Sequence, residues 1–117
     1  MMRIARSRIV GWFVCYLFAK MSFVIPVKRL RETKTLIAFY HPQPSHDVHI
    51  LLVPKKAVKN FSDLSTEDTD FLTDLVNVVK SLVLELELEE PGYRLVVNGG
   101  LYQDIPQLHF HLISGDD

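Results

Sequence analysis

Several residue types that mark specialised classes of protein are scarce in this sequence of 117 residues. It has one cysteine, Cys15, which excludes an internal disulfide and a cysteine-rich zinc site. Its five glycines and six prolines are too few for a collagen-like or low-complexity chain. The formal net charge is −1, so the general basic surface that favours nucleic acid is missing. We therefore expect no nucleic-acid partner and a reducing compartment such as the cytoplasm.

The composition that remains is that of a globular protein. Hydrophobic residues make up 48% of the sequence and charged residues 23%. A chain of this length folds as one domain with a core of its own. We expect an apolar N-terminal segment over residues 1–30, followed by a folded domain over residues 31–117.

The N-terminal segment carries the longest apolar run. Residues 9–19 are all apolar, Lys20 interrupts the run, and residues 21–27 resume it with Pro26 near the end. Three interpretations fit: a helix docked on the domain or lying in a membrane interface, a membrane anchor, or a signal peptide. Lys20 and Pro26 favour the first, so membrane contact through residues 9–27 is one expectation.

The rest of the chain alternates short strand patterns with one helix pattern. Ser65 and the acidic residues after it are typical of a helix start, and apolar residues then recur at helical spacing until Pro91 and Gly92. Strands are predicted over residues 35–40, 47–53, 93–98 and 107–113. The predicted fold class is α+β, an antiparallel sheet of four to five strands with one long helix packed across it and an apolar N-terminal helix.

The last predicted strand carries two histidines that alternate with apolar residues. Residues two apart in a strand lie on one face, so His109 and His111 share a face with Gln107, and the Cα atoms of the two histidines lie about 6.6 Å apart. Imidazole acts near neutral pH as a base, a nucleophile or a metal ligand. Spacing alone leaves three interpretations open: a solvated strand face, a catalytic site, or a metal site completed by His41 or His49.

A tight turn follows the third predicted strand. Asn98, Gly99 and Gly100 either form an ordinary turn or expose main-chain N–H groups that approach an anion such as phosphate.

The sequence resembles the histidine triad (HIT) superfamily over about residues 33–114. QLHFHLI at 107–113 is similar to the His-x-His-x-His-x-x motif, in which x is apolar. HILLVPKK at 49–56 resembles the upstream segment with His, four apolar residues, Pro and Lys, and GYRLVVNGG at 92–100 resembles the strand before the active-site loop.

The resemblance implies a two-step nucleotidyl transfer. His109 matches the histidine that attacks the α-phosphorus of a nucleotide, and the main-chain carbonyl of Gln107 would hold the proton on its other ring nitrogen. His111 matches the histidine that contacts the phosphate. His49 matches an outlying fourth histidine, and Asn98 matches an amide near the phosphate. No cofactor and no metal is expected.

Three positions depart from the family pattern. Gln107 replaces the first histidine of the triad. Asp104, which with Gln103 belongs to the expected substrate-binding set, lies where a hydroxyl residue often contacts phosphate. His41 lies where the nucleotide-binding branch has an acidic residue for the ribose hydroxyls.

The resemblance leaves two functional hypotheses. One is a hydrolase of nucleotide phosphoramidates or dinucleoside polyphosphates that uses a nucleotidyl-histidine on His109. The alternative is a nucleotide-binding module with little turnover. The expected partners are a purine nucleotide or nucleotide conjugate and a second copy of the chain in a homodimer.

Overall fold

The computed structural model describes residues 28–116, which form one antiparallel sheet covered on one face by a long helix. The strands are β1 (Arg29–Glu32), β2 (Leu36–Tyr40), β3 (Val48–Pro54), β4 (Arg94–Val97) and β5 (Phe110–Ser114). Their order in the sheet is β1-β2-β3-β5-β4, and the helix is α1 (Thr69–Glu85). The predicted α+β class is confirmed; the expected N-terminal helix lies outside the described residues.

Strand β1 is the element that the sequence pattern does not reveal. It falls in the basic stretch before the first predicted strand and has a single apolar residue, Leu30. A charged edge strand needs no strong alternation, because only its inner edge pairs with the sheet. Arg31 fixes it to the helix: its guanidinium donates a hydrogen bond to Ser81 Oγ at 3.0 Å and pairs with Glu85.

The helix begins where the capping signal predicts. Ser65 Oγ accepts a hydrogen bond from the Glu67 N–H at 3.2 Å, and the Asp68 carboxylate accepts one from the Ser65 N–H at 2.9 Å. This reciprocal pair is a capping box, which satisfies main-chain donors that the first turn leaves without partners. It forms a short 3₁₀ turn, Thr66–Asp68, that leads into α1.

The apolar face of the helix packs on one face of the sheet. The buried helix residues are Phe71, Leu75, Val78, Val79, Leu82 and Val83. Their partners in the core include Leu36, Ala38, Ile50, Leu52, Leu108, Phe110 and Leu112. Leu72 and Val76, which also fall at helical spacing, are exposed at one margin of the apolar face, whereas Val78 at the opposite margin is buried.

The helix ends at Glu85 through a main-chain motif. The Leu88 N–H donates to the Val83 carbonyl at 2.9 Å across a turn in which Glu87 has a φ of 53°. This arrangement is a Schellman-type cap with a non-glycine residue in the left-handed region. The alternating leucine and glutamate residues after Val83 therefore do not form a strand, and the helix does not continue past its cap.

The other face of the sheet carries histidines. The register pairs His49 with Ile113 and Leu51 with His111 across β3 and β5, so His49 and His111 project from the face opposite α1. Two strands that are far apart in the sequence are neighbours in the sheet, which brings these two side chains together.

The alternation predicts that the last strand begins at Gln107, but β5 begins at Phe110. The Leu108 N–H instead donates to the Val58 carbonyl at 2.7 Å, which bonds the chain just before β5 to the segment after β3. Leu108 is nevertheless buried in the core, as its place in the alternation predicts.

Residues 28–116 include no helix with both the length and the low charge that a membrane crossing requires. The apolar residues 9–27 lie outside the described residues, so their membrane contact stays a prediction.

Candidate active site

All five histidines of the sequence lie in one patch on the sheet face opposite α1 and on the loop next to it. Ring centroids are 4.9 Å apart for His109 and His111, 5.2 Å for His111 and His49, and 4.4 Å for His49 and His41. The ring of His46 lies 5.6 Å from that of His49. His109 and His49 are buried, so the patch is not a solvated strand face with incidental histidines.

His109 has a defined proton position. Its Nδ1 lies 2.8 Å from the carbonyl oxygen of Gln107, and a carbonyl only accepts, so Nδ1 carries the proton. The side chain is 8% exposed, and burial lowers its pKa, although the Gln107 carbonyl and the charge of Asp104 act in the opposite direction. The ring is therefore neutral near pH 7, and its Nε2 carries a free electron pair, as a nucleophile requires.

A hydrogen-bonded chain sets the protons of the next two rings. The Ser45 N–H donates to His49 Nδ1 at 3.1 Å, so a neutral His49 carries its proton on Nε2. His49 Nε2 lies 2.9 Å from His111 Nδ1 and donates to it. His111 then carries its proton on Nε2, where the ring presents an N–H donor.

The pKa values of these two rings agree with neutral imidazoles. Burial, followed by the neighbouring histidines His46 and His109, lowers the pKa of His49 to about 4. Burial and the four surrounding histidines lower the pKa of His111 to about 3. Both rings are therefore uncharged near pH 7, so the buried site has no positive charge of theirs to solvate.

His41 and His46 lie at the other end of the patch, in the segment between β2 and β3. The Gln43 N–H donates to His41 Nδ1 at 2.9 Å, and His46 Nδ1 lies 3.1 Å from Ser45 Oγ. His41 is expected from the sequence as a departure from the family pattern, whereas His46 is not among the expected site residues. A signal for it exists, because the segment from 41 to 49 contains three histidines in nine positions.

The loop between β4 and β5 holds the remaining predicted residues. Asn98 follows the last β4 residue, and the pairing of Val97 with Phe110 brings it beside His109. Gln103 Nε2 donates to the carbonyls of Lys59 at 2.7 Å and Ile105 at 2.9 Å, so its amide ties the loop to the segment after β3.

Gln107 and Asp104 differ in burial. Gln107 is 6% exposed, and its Nε2 makes one long contact, 3.4 Å, with the Lys56 carbonyl. Asp104 is exposed, and its charge acts on His109 as a carboxylate near the nucleophile.

No group of three or more histidine, cysteine or acidic side chains within residues 28–116 is arranged to hold a metal ion. His49 and His111 already direct ring nitrogens at each other, which opposes joint coordination of a metal.

Comparison with known proteins identifies the family. The sequence model of the HIT domain matches residues 22–117. An uncharacterized HIT-like protein of Helicobacter pylori is 31% identical over 94 residues, which are 79% of this chain and 88% of that protein.

Two solved structures share the fold. A HIT family hydrolase from Legionella pneumophila has a TM-score of 0.72 and 32% identity, over 80% of this chain and 85% of that one. A histidine triad nucleotide-binding protein from Candida albicans has a TM-score of 0.69 and 33% identity, over 80% of this chain and 68% of that one. The chain belongs to the HIT domain family, in which hydrolases and nucleotide-binding proteins occur.

Proposed function

We propose that this chain is a hydrolase that cleaves a nucleotide phosphoramidate or a dinucleoside polyphosphate through a nucleotidyl-histidine on His109. The observation that carries the proposal is the 2.8 Å hydrogen bond from His109 Nδ1 to the Gln107 carbonyl. That bond leaves Nε2 unprotonated, next to a ring that presents an N–H donor. The ligand we infer is a purine nucleotide or a conjugate of one.

The reaction has two steps. His109 Nε2 attacks the α-phosphorus, a P–N bond forms, and the bond to the leaving group breaks with its electron pair on the leaving atom, which takes a proton from solvent. Water then attacks the same phosphorus and releases a proton to solvent, the P–N bond breaks, and its electron pair returns to Nε2. The Gln107 carbonyl holds the Nδ1 proton and stabilises the cationic ring of the intermediate.

The neighbouring groups act on the phosphoryl oxygens. His111 donates its Nε2–H to the charge that develops there, and His49 keeps that tautomer in place through its hydrogen bond to His111 Nδ1. Asn98 supplies an amide donor beside His109. Gln103 ties down the loop that leads to the accepting carbonyl of Gln107.

The test is release of AMP from adenosine phosphoramidate by the purified protein. We expect His109→Asn to lower kcat by more than about a thousandfold, because Asn offers no nucleophilic nitrogen. A nucleotide bound to His109, found by mass spectrometry after acid quench, would identify the intermediate. The melting temperature of each variant shows whether it is folded.

The alternative is a nucleotide-binding module with little turnover, and the exposed carboxylate of Asp104 favours it. A carboxylate repels phosphate unless it is protonated or turned away. Binding of AMP without release from the phosphoramidate would support this alternative. Recovery of turnover in Asp104→Ser would assign the loss to the carboxylate.

We also infer a homodimer through β4. This strand pairs only with β5 among residues 28–116, and Leu95 on it is 42% exposed. An unpaired edge beside exposed apolar side chains is a site for strand pairing with a second copy.

Leu95→Lys tests the dimer. We expect the dimer dissociation constant in sedimentation velocity to rise by about tenfold or more, because the interface would bury an ammonium group without a partner. Leu84→Lys, an exposed leucine on α1, is the matched control and should leave the constant unchanged. A wild-type chain that sediments as a monomer would contradict the inference.

A further inference from the structure

Two of the five histidines have no part in the proposed reaction. The nucleophile and the phosphate donor are His109 and His111, and His49 orients the second of them. His41 and His46 continue the patch beyond His49, with the ring of His41 4.4 Å from His49 and 6.3 Å from His111. Both rings are partly exposed.

The spacing of the rings fits a ligand with more than one anionic group. From His109 to His46 the patch continues in steps of about 5 Å between neighbouring rings, by way of His111 and His49. Both ring nitrogens of His49 are bonded to Ser45 and His111, so contact with a second anion falls to the outer rings, His41 and His46. Protonated rings repel one another, and an anion placed among them offsets this repulsion.

The tautomer of His41 also favours an anion. Its Nδ1 accepts the Gln43 N–H, so a neutral His41 carries its proton on Nε2 and acts there as a donor. A carboxylate at this position would accept hydrogen bonds from ligand hydroxyls. A donor instead selects acceptors, and phosphate oxygens are strong acceptors.

We propose that His41 and His46 form a second anion subsite, so that the preferred ligand carries another phosphate group besides the one at His109. The proposal rests on the proposed function for the position of the first phosphate. Two sources of the second group are compatible with it: a phosphate on the ribose, as in adenosine 3′,5′-bisphosphate, or a longer phosphate chain, as in ADP.

The charged surroundings of the subsite are mixed. The titratable side chains on the segments around it are Tyr40, His41, His46, Asp47, His49, Arg94, Asp104, His109 and His111. The register places Arg94 opposite Ile113, on the histidine face of the sheet, where it adds a positive charge. The Asp47 carboxylate lies against Gly115, and Asp104 acts on His109 at the other end.

Isothermal titration of the full chain with AMP, ADP and adenosine 3′,5′-bisphosphate at pH 6.5 tests the subsite. None of these ligands carries the phosphoramidate bond. We expect ADP or the bisphosphate to bind about tenfold more tightly than AMP at pH 6.5, the worth of one charge-assisted hydrogen bond. Tighter binding of ADP would identify a longer phosphate chain as the source of the second phosphate, and tighter binding of the bisphosphate would identify a phosphate on the ribose.

The double variant His41→Asn/His46→Asn should reduce the affinity ratio to about one. Asn at position 41 keeps an acceptor for the Gln43 N–H, so we expect the segment to fold as before, and the melting temperature checks this. His41→Lys should retain the preference, because lysine supplies both a donor and a positive charge at this position. Tyr40→Phe, one residue away, should change none of these values.

A wild-type ratio near one at pH 6.5, or a ratio that the double variant leaves unchanged, would overturn the subsite. These results are separate from those that test the hydrolase. A preference for the second phosphate without turnover of the phosphoramidate would remove the proposed reaction and retain the subsite. Turnover without the preference would support the proposed reaction and overturn the subsite.

Discussion

Main-chain groups, rather than charged side chains, set the proton positions of the histidines. The Gln107 carbonyl fixes the proton of His109, and the N–H groups of Ser45 and Gln43 fix those of His49 and His41. A main-chain carbonyl or N–H group is present whichever side chain the residue carries. The replacement of the first triad histidine by Gln107 therefore leaves the nucleophile's hydrogen bond intact.

Gln107→Ala tests this reasoning at a single residue. We expect kcat for adenosine phosphoramidate to stay within about threefold of the wild type, less than about 1 kcal/mol of transition-state free energy, because the accepting carbonyl remains. The lost side-chain contact with the Lys56 carbonyl is long, at 3.4 Å.

Gln103→Ala is the matched comparison in the same loop. Its amide makes two shorter hydrogen bonds, at 2.7 and 2.9 Å, that tie the loop to the segment after β3. We expect this variant to lose more activity than Gln107→Ala and about 1 kcal/mol of unfolding free energy. A larger loss in Gln107→Ala would show that its side chain, and not the carbonyl, is the working group.

At the level of secondary structure, locally encoded features are the predictable ones. Ser65 and Asp68 form a helix start within four residues, and the alternation around Phe110 assigns its strand to the sheet. Strand β1 and the start of β5 depend on partners elsewhere in the chain, such as the Val58 carbonyl that accepts from Leu108. Local patterns carry no information about such partners.

The same distinction applies to the candidate site. Period-two spacing is enough to predict that His109 and His111 lie on one face of the chain. The contact between His49 and His111 depends on the pairing of β3 with β5, 62 residues apart in sequence, which spacing cannot reveal. The burial of the rings and the position of His46 follow from that same pairing and from the loop before β3.

The cap of α1 offers a prediction about stability. Glu87 has a φ of 53°, a conformation that costs an L-residue about 1–2 kcal/mol relative to glycine. Glu87→Gly removes this strain, although glycine also gains freedom in the unfolded chain. We expect the unfolding free energy in urea to rise by about 0.5–1 kcal/mol.

Glu89→Gly is the matched control. Glu89 is exposed in the same turn, and it is not among the described non-glycine residues with positive φ. We expect this variant to be neutral or less stable, because it gains only the unfolded-state freedom of glycine. Equal effects of the two substitutions would show that the backbone at Glu87 is not strained in solution.

For the molecule as a whole, the strand order concentrates titratable rings on one side of the sheet. Helix α1 and the core occupy one face, and the adjacency of β3 and β5 collects histidines from three segments on the other. The fold keeps His49 and His111 neutral by burial, whereas in the unfolded chain both rings titrate near 6.5. This difference couples folding to pH.

The sign of the coupling follows from proton binding. Between pH 6.5 and the folded pKa values of about 4 and 3, the unfolded chain binds more protons than the folded chain at His49 and His111. The unfolding free energy therefore falls as the pH falls below 6.5 and does not depend on these two rings above it. The slope for each fully shielded ring approaches about 1.4 kcal/mol per pH unit, and solvent around the rings reduces it.

The interval from pH 6.5 to 5 isolates this effect from that of the carboxylates. Glu32, Asp68 and Asp74 have lowered pKa values in the folded chain, so their contributions are lost only at and below their ordinary values of 4.5 and 3.8. We expect urea unfolding at half-unit steps to show stability falling over this interval. His49→Asn should make the slope shallower, because it removes one of the rings that the fold keeps neutral. A wild-type curve that is flat from pH 6.5 to 5 would mean that the histidine patch is solvated and that its rings titrate as they do in the unfolded chain.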